Sequence, residues 1–375
     1  MDTYNLLVVR YIYTTMRKIT ISIILVIVIS IITYSYPGSN KSLEIHKVGV
    51  LLPITGDASV YGESAQKAAL LADNNGGQII TEDTALSGQK AISAFQKIKS
   101  SSNPKVIVSF SSGETLALCP VTEKAGITLI SSGSSPEIGK CGPNTFSNFP
   151  SDTFQSRVLA DKLNIATKHL AVLYIQNDYG TGVFNEFKKH YAGQIDSYPY
   201  TPSQSDYRTL LSKIKSSNIR NILLISQPKE ATSILSQAAD LNLTIDSIYA
   251  TESLKDNSFA NVIPSKFRNV FVVVSPKTYS GTEQVSFQNS YMQKFGTAPT
   301  AYADYVYDNI ALAKDALRNC AEKTKKDNAC IREYIKNANK IGATGNISFG
   351  DSMSPEDKEY DFFKIGVDGK FSNEF

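Results

Sequence analysis

Short apolar runs alternate along this chain with longer segments of helical spacing, and loops rich in Gly, Ser, Thr and Asp separate them. Val48–Leu52 (VGVLL) is the first such run; its β-branched residues mark a buried strand. Pro53–Tyr61 is a turn-rich loop holding Thr55, Gly56, Asp57 and Ser59. From Gly62 the spacing turns helical, with Ala65, Ala68, Ala69 and Ala72 on one small-residue face, and a C-cap signal stands at Asn75-Gly76-Gly77. The same unit recurs. A strand is expected at Ile79–Ile80, a helix over Gly88–Ser100, a strand at Val106–Phe110 ending in Ser111-Ser112-Gly113, and a helix over Leu116–Lys124. A strand at Thr128–Ile130 then leads into the serine loop Ser131–Pro136. Strand, loop and helix in repetition argue a parallel, doubly wound sheet, whose ligands bind at the carboxyl ends of the strands.

A second block of the same kind begins near Asp152. Helices are expected over Phe154–Leu163, Gly182–Tyr191, Leu210–Ser216 and Glu230–Leu241. Strands are expected at Ala171–Ile175 (ending in Asn177-Asp178-Tyr179-Gly180), Asn221–Ile225, Ile248–Ala250 (ending in Thr251-Glu252-Ser253) and Val270–Val274. Helices follow at Phe287–Phe295, Tyr302–Asn319 and Ile331–Asn337. The tail, Gly345–Phe349 and Tyr360–Val367, has antiparallel strand character and closes on the hairpin signal Asp368-Gly369.

The N-terminus stands apart. Ile19–Ile32 is uncharged and preceded by Arg17 and Lys18. Its length matches a signal-peptide core; continued to Tyr36, with Tyr34 and Tyr36 as interface residues, it reaches about 18 residues, the lower limit for a span. No A-x-A site and no cysteine follows, so an uncleaved anchor is favoured over a cleaved signal, with the residues before Met16 read as an upstream extension. Residues 1–41 are accordingly assigned to signal or anchor and linker, with the rest exported. The formal charge is only +3 and the Lys and Arg residues are scattered, so nothing points to nucleic acid. Four cysteines in an exported chain suggest two disulfides, and the spacing favours the local pairs Cys119 with Cys141 and Cys320 with Cys330. With no C-x-x-C, and with His46, His169 and His190 far apart, no metal site or cofactor is expected.

Catalysis is weakly supported. Ser112 and Ser134 sit at expected strand ends, but G-x-S-x-G is absent and no histidine lies in a strand-end loop to serve as base. The first loop lacks both Gly-rich phosphate-binding patterns. Binding of a small zwitterion fits better. Its carboxylate needs aligned N–H and hydroxyl donors, which Ser111-Ser112-Gly113 and Ser131–Ser135 could supply, although such loops often only cap helices. Its ammonium needs an acidic group and an aromatic face, and Asp152, Asp178, Glu252 and Tyr179 are the strand-end candidates. Asp152 as a helix N-cap, Asp178 as a turn former and Tyr61 as a surface residue remain the competing assignments.

VGVLLPITGDASVYG, followed by its alanine-rich helix, resembles the first unit of type 1 periplasmic-binding-protein domains, in particular the branched-chain amino-acid (Leu/Ile/Val) binding family of ABC transporters. EDTALSGQKAISAFQKI, EKAGITLISSGSSPEI, NDYGTG, ATES and YADYVYDNIALAKDAL match in order, so the resemblance covers residues 45–370. It implies an α/β protein of two lobes, each a doubly wound, mainly parallel sheet flanked by helices, with the ligand cleft between them. Three chain crossings would make lobe I 43–151 plus 276–349 and lobe II 152–275 plus 350–375. It further implies that Ser112, Gly113, Ser132 and Ser134 hold a carboxylate, that Asp152 and Glu252 take an ammonium, and that Tyr61 and Tyr179 line the pocket. The implied partner beyond the small ligand is an ABC permease, the alternative being a sensing domain that acts through another protein. Gln227 departs from the family pattern, standing where amino-acid binders often carry an aromatic.

Overall fold

The computed structural model describes residues 3–35, 47–73, 76–321, 327–351, 353–355 and 358–374. It divides into a unit ending at Glu44 and a unit beginning at Ile45. The first is a single helix, α1 (Thr3–Ser35). Within it Val8–Ser30, 23 residues of mean hydropathy 1.8, is long and apolar enough to cross a membrane. Several of its hydroxyls bond back to the helix: Thr14 Oγ1 donates to Arg10 O (2.7 Å) and Thr20 Oγ1 to Met16 O (2.8 Å). The helix begins well before the apolar run, because Arg17 and Lys18 are good helix formers and do not interrupt it. The expected linker Tyr36–Ser42 and His46 lie outside the described residues.

The second unit holds two main sheets. In the first, β1 (Val48–Leu52), β2 (Ile79–Asp83), β3 (Val106–Ser109), β4 (Thr128–Ser131) and β5 (Thr145–Ser147) run in the order β2-β1-β3-β4-β5, all parallel. Helices α2 (Ser59–Ala72), α3 (Gly88–Ser102) and α4 (Ser112–Ala125) alternate with the strands. In the second sheet β6 (His169–Ile175), β7 (Gln194–Tyr200), β8 (Asn221–Ile225), β9 (Ser247–Ala250) and β10 (Phe271–Pro276) are parallel. Its helices are α5 (Asp152–Ala166), α6 (Asp178–His190), α7 (Arg208–Ser217), α8 (Pro228–Asp240), α9 (Asn257–Val262) and α10 (Ser265–Arg268). The chain then forms α11 (Thr282–Phe295), α12 (Ala303–Cys320) and α13 (Asp327–Lys336), and the ribbon β11 (Asn339–Gly342) and β12 (Gly345–Ser348). It ends in β13 (Tyr360–Ile365) and β14 (Phe371–Asn373), which complete the second sheet as β14-β13-β10-β9-β8-β6-β7.

Burial explains the layers. Val48, Val50, Leu52, Val106 and Val108 face α2 and, from far along the chain, Val306, Ile310 and Ala313 of α12. Leu51, Ile107 and Leu129 point the other way, onto Phe95 and Ile98 of α3 and Leu118 of α4. A parallel strand buried on both faces reads as a continuous apolar run, which is why these strands were legible. Strand β7 was not: QIDSYPY is a half-exposed edge strand carrying Pro199, with no clean apolar face. Strands β5 and β11 also escaped: TFS holds one apolar residue between two hydroxyls, and NKIG is mostly exposed. Strands β12 and β13 are antiparallel as expected, β12 to β11 and β13 to β10 and β14, with the β13–β14 turn at Asp368-Gly369. Cys119 bonds to Cys141 and Cys320 to Cys330.

Two glycines bring the strand ends against the helices that follow. A Cβ on Gly62 would lie 1.9 Å from Pro53 O, and one on Gly180 would lie 2.1 Å from Ile175 O. Both occupy the first helical turns after β1 and β6, so the bare Cα is what lets each loop turn sharply at the strand's carboxyl end. Gly62→Ala and Gly180→Ala are each expected to destabilise the protein by about 1–3 kcal/mol, the usual cost of overpacking. A urea midpoint unchanged from wild type would contradict the close approach.

Candidate functional site

The carboxyl ends of β1, β3 and β4 face those of β6, β8 and β9 across a cavity of about 510 Å³. On the first-sheet side the site is built on the N-terminus of α4. The expected helix start at Leu116 is corrected to Ser112, because Ser111 and Glu114 form a capping box that adds a turn. Ser111 N and Oγ donate to the Glu114 carboxylate (2.9 and 2.6 Å). Glu114 is buried and also accepts from Thr84, so the box is locked from beneath. The N–H groups of Ser112 and Gly113 fall in the first turn, where a helix offers no carbonyl to receive them. Ser112 Oγ accepts from Ser134 N and Ser135 N (3.2 Å each), which ties the two serine loops together and leaves its own proton to donate. Ser132 Oγ accepts from Asn309 Nδ2 of α12 (3.1 Å).

The opposing side is acidic. Asp152 is fully buried as the first residue of α5. It does not cap the helix; Ser151 does, accepting from Thr153 N. Its own N–H donates to Ser134 O (2.8 Å), and neither carboxylate oxygen has a hydrogen-bond partner of good geometry, the Ser134 hydroxyl being the group that approaches. Glu252, in the short turn Glu252–Leu254 after β9, is also buried and accepts from Gln155 Nε2. Burial pushes Glu252 up to about 7, against the pull of Gln155 and Tyr179. Burial, and then the charge of Glu252, pushes Asp152 well above the carboxylate range. Among the described residues neither carboxyl has an ion-pair partner, so burial favours the protonated form of both.

Aromatic rings close the space around this pair. Tyr61 is buried and donates to Ser253 O (2.8 Å), and Tyr179 donates to Ser253 Oγ (3.3 Å). Tyr302 stands edge-on to Tyr61 (5.3 Å between centroids) and packs on Phe110 and Phe149 (5.6 Å each). Burial, before any neighbouring charge, holds the hydroxyls of Tyr61, Tyr179 and Tyr302 well above their usual range, so all three remain donors. The two sides are also bridged at the rim: Asp57, in the loop after β1, pairs with Lys229 of α8 and accepts from Ser203 Oγ (2.9 Å).

Seven of the eight residues singled out from the sequence line this cavity: Tyr61, Ser112, Gly113, Ser132, Ser134, Tyr179 and Glu252. Asp152 lies behind them, coupled to Glu252. Asp178 is the first residue of α6, capped by Asn177, and lies across the cleft so close that a Cβ on Gly113 would stand 3.1 Å from its carboxylate. Two participants were missed. Gln155 is one helical turn from Asp152, so the i,i+3 spacing would have placed it on the same face. Tyr302 had been assigned to the helix, yet it precedes α12 with φ +71°, a left-handed backbone that no local pattern marks for a tyrosine. No histidine lines the cavity, and among the described residues no cluster of three His, Cys, Asp or Glu side chains could hold a metal.

Residues 46–364 match the family described as Periplasmic binding protein. The chain is 24% identical over 346 residues to Leu/Ile/Val-binding protein homolog 1 of Brucella abortus, covering 87% of this chain and 92% of that protein. Its fold is similar to LivJ, the branched-chain amino acid transporter substrate binding protein of Streptococcus pneumoniae, solved with isoleucine. There the TM-score is 0.77 at 22% identity, over 88% of this chain and 98% of that one. It is also similar to a solute binding protein of an ABC transporter from Rhodopseudomonas palustris, solved with 3,4-dihydroxy benzoic acid, with TM-score 0.74 at 19% identity over 88% and 95% of the two chains.

The carboxyl pair has a measurable cost in the empty protein. A folded-state pKa above the ordinary value of 4.5 means that folding favours the protonated form, so the stability from Glu252 is complete below about pH 4.5 and is lost as the pH rises through 7. Glu252→Gln is therefore expected to stabilise the ligand-free protein at pH 8 by about 2–3 kcal/mol, with little change at pH 4. Thermal melts across this range check it; a variant that is no more stable than wild type at pH 8 would contradict the assignment.

Proposed function

The chain belongs to the periplasmic binding protein family, and from that premise we propose that it is an extracytoplasmic solute-binding protein of an ABC importer whose ligand is an amino acid or a closely related compound. The observation that carries the choice of ligand is the buried pair Asp152 and Glu252, without an ion-pair partner among the described residues, beside a cavity that the first turn of α4 also lines. The ammonium of an α-amino acid sits against that pair, with the tyrosine faces around it. Its carboxylate receives the N–H of Gly113, the hydroxyl of Ser112 and the donors of Ser132 and Ser134, at the positive end of the helix dipole. The Brucella relative carries the name of a Leu/Ile/Val-binding protein and the streptococcal structure holds isoleucine, in keeping with this ligand. The Rhodopseudomonas protein holds a dihydroxybenzoic acid, so the fold also serves ligands without an ammonium. The buried acid pair is what separates the two cases here.

Uptake proceeds by closure. Residues 43–151 with 276–349 form one lobe and 152–275 with 350–375 the other, and the ligand is captured as they hinge together. The closed pair is offered to an ABC permease, whose ATPase supplies the energy of transport, and α1 tethers the protein to the outer face of the membrane. Gln227 and Gln89, both lining the cavity, meet the ligand's side chain with amide groups, which suits a polar as well as an aliphatic amino acid.

A screen of the purified protein against amino acids and aromatic acids tests the ligand. An amino acid at about 100-fold over its dissociation constant is expected to add about 2.7 kcal/mol of stability. Asp152→Asn and Ser112→Ala are each expected to remove that gain. A shift with benzoate and with no amino acid would overturn the reading. Because a protonated Glu252 must lose its proton to face an ammonium, affinity is expected to fall about tenfold for each pH unit below 7. The Asp57–Lys229 pair is exposed and worth about 0.2–1 kcal/mol. Asp57→Ala is accordingly expected to speed ligand release by no more than about fivefold, an effect that salt diminishes in the wild type.

A further inference from the structure

A second cavity, of about 420 Å³, lies beside the first and shares Phe149, Glu252 and Tyr302 with it as a common wall. Residues following β9 line it on one side, α11 and the start of α12 on the other, and the crossing segment 275–279 closes it. Two groups in it lack the partner their chemistry calls for. The Lys255 ammonium lies 3.3 Å from the centroid of the Phe363 ring and 3.4 Å from Thr278 Oγ1, and among the described residues no carboxylate reaches it within ion-pair distance. Gln284 is 6% exposed; its Nε2 donates to Asp304 Oδ2 (3.2 Å), while its Oε1 has no partner.

The other charged groups around this cavity are engaged. Lys277 pairs with Glu359 (2.9 Å). Asp256 caps α9, accepting from Ser258 N and Phe259 N. Asp304 accepts from Gln284 and from Tyr305 N, and burial pushes it up to about 6. Glu252 is held by Gln155 on the side of the first cavity. Burial pulls the Lys255 ammonium down to about 8, with Asp361 and Asp304 opposing at longer range, as befits a cation short of a counter-ion. Phe287 and Tyr305 supply an apolar wall for a carbon skeleton.

We propose that this cavity is a second ligand site, separate from the amino-acid cleft, which takes a small organic carboxylate bearing a hydroxyl. The carboxylate lies against Lys255 and the hydroxyl donates to Gln284 Oε1. The cavity is lined both by residues following β9 and by α11 and the start of α12, which on the proposed two-lobe reading belong to different lobes, so an occupant is bound by groups that separate when the cleft opens.

Calorimetric titration of the purified full chain in detergent with L-lactate, 3-hydroxybutyrate and butyrate tests this site. The hydroxy acids are expected to bind and butyrate to bind more weakly. Lys255→Met is expected to weaken hydroxy-acid binding by about tenfold or more, while Lys255→Arg retains it. Gln284→Leu is expected to erase the advantage of the hydroxyl acid over butyrate. Ser112→Ala, which disables the first cleft, is expected to leave all three titrations unchanged. If Lys255→Met fails to fold by circular dichroism, Gln284→Leu decides. No heat from either hydroxy acid at millimolar concentration, equal binding in Lys255→Met, or binding that Ser112→Ala removes would each overturn the second site. The last result would do so without touching the amino-acid reading, which stands or falls on its own ligands.

Discussion

Two carboxyl groups placed in the protein interior without a counter-charge are the constraint around which this structure is arranged. Asp152 and Glu252 come from different strand-loop-helix units and are both buried where the two sheets face each other. Burial raises the affinity of both for a proton, and the charge of Glu252 raises that of Asp152 further. The molecule tolerates them because Gln155 and the tyrosine hydroxyls soften the penalty. The remaining deficit leaves both carboxyls inclined to hold a proton.

The rest of the cleft follows from where loops can be held. Gly62 and Gly180 let α2 and α6 start against the strands they follow, β1 and β6, so those loops turn sharply at the strand ends. The Ser111–Glu114 box starts α4 at Ser112 and thereby places the helix's first turn at the cavity wall. Ser112, accepting two N–H bonds from the neighbouring serine loop, converts two flexible segments into one rigid surface. The serine loops and the acidic pair thus meet around one cavity of about 510 Å³, Asp152 being tied to Ser134 O through its own N–H.

The sequence made the interior strands plain, because parallel strands buried on both faces are apolar throughout. It also made the strand-end loops plain, because Ser, Gly, Asp and Glu are conspicuous after an apolar run. What escaped was of two kinds. Strand β7 is an edge, half in water, and its alternation is broken by Pro199, so no burial pattern could announce it. Tyr302 and the Asp57–Lys229 pair depend on segments brought together by the fold; in the pair the partners are 172 residues apart, and the tyrosine's left-handed backbone is imposed by packing on Tyr61, Phe110 and Phe149. The resemblance to a known family reached the acidic pair and the serine loops, but Gln155, one turn beyond Asp152, required the helix face to be drawn.

The second sheet is finished only by the last residues of the chain. Strand β10, buried along its whole length, is an open edge until β13 and β14 arrive to cover it. Tyr360, which begins β13, also belongs to the neighbourhood of the acidic pair. During synthesis the first sheet's strands can pair as they emerge, whereas the second sheet carries an exposed apolar edge for the entire time that α11, α12 and α13 are being made. A nascent chain in that interval is at its most adhesive, and any holding factor that meets it would find β10 the natural place to grip.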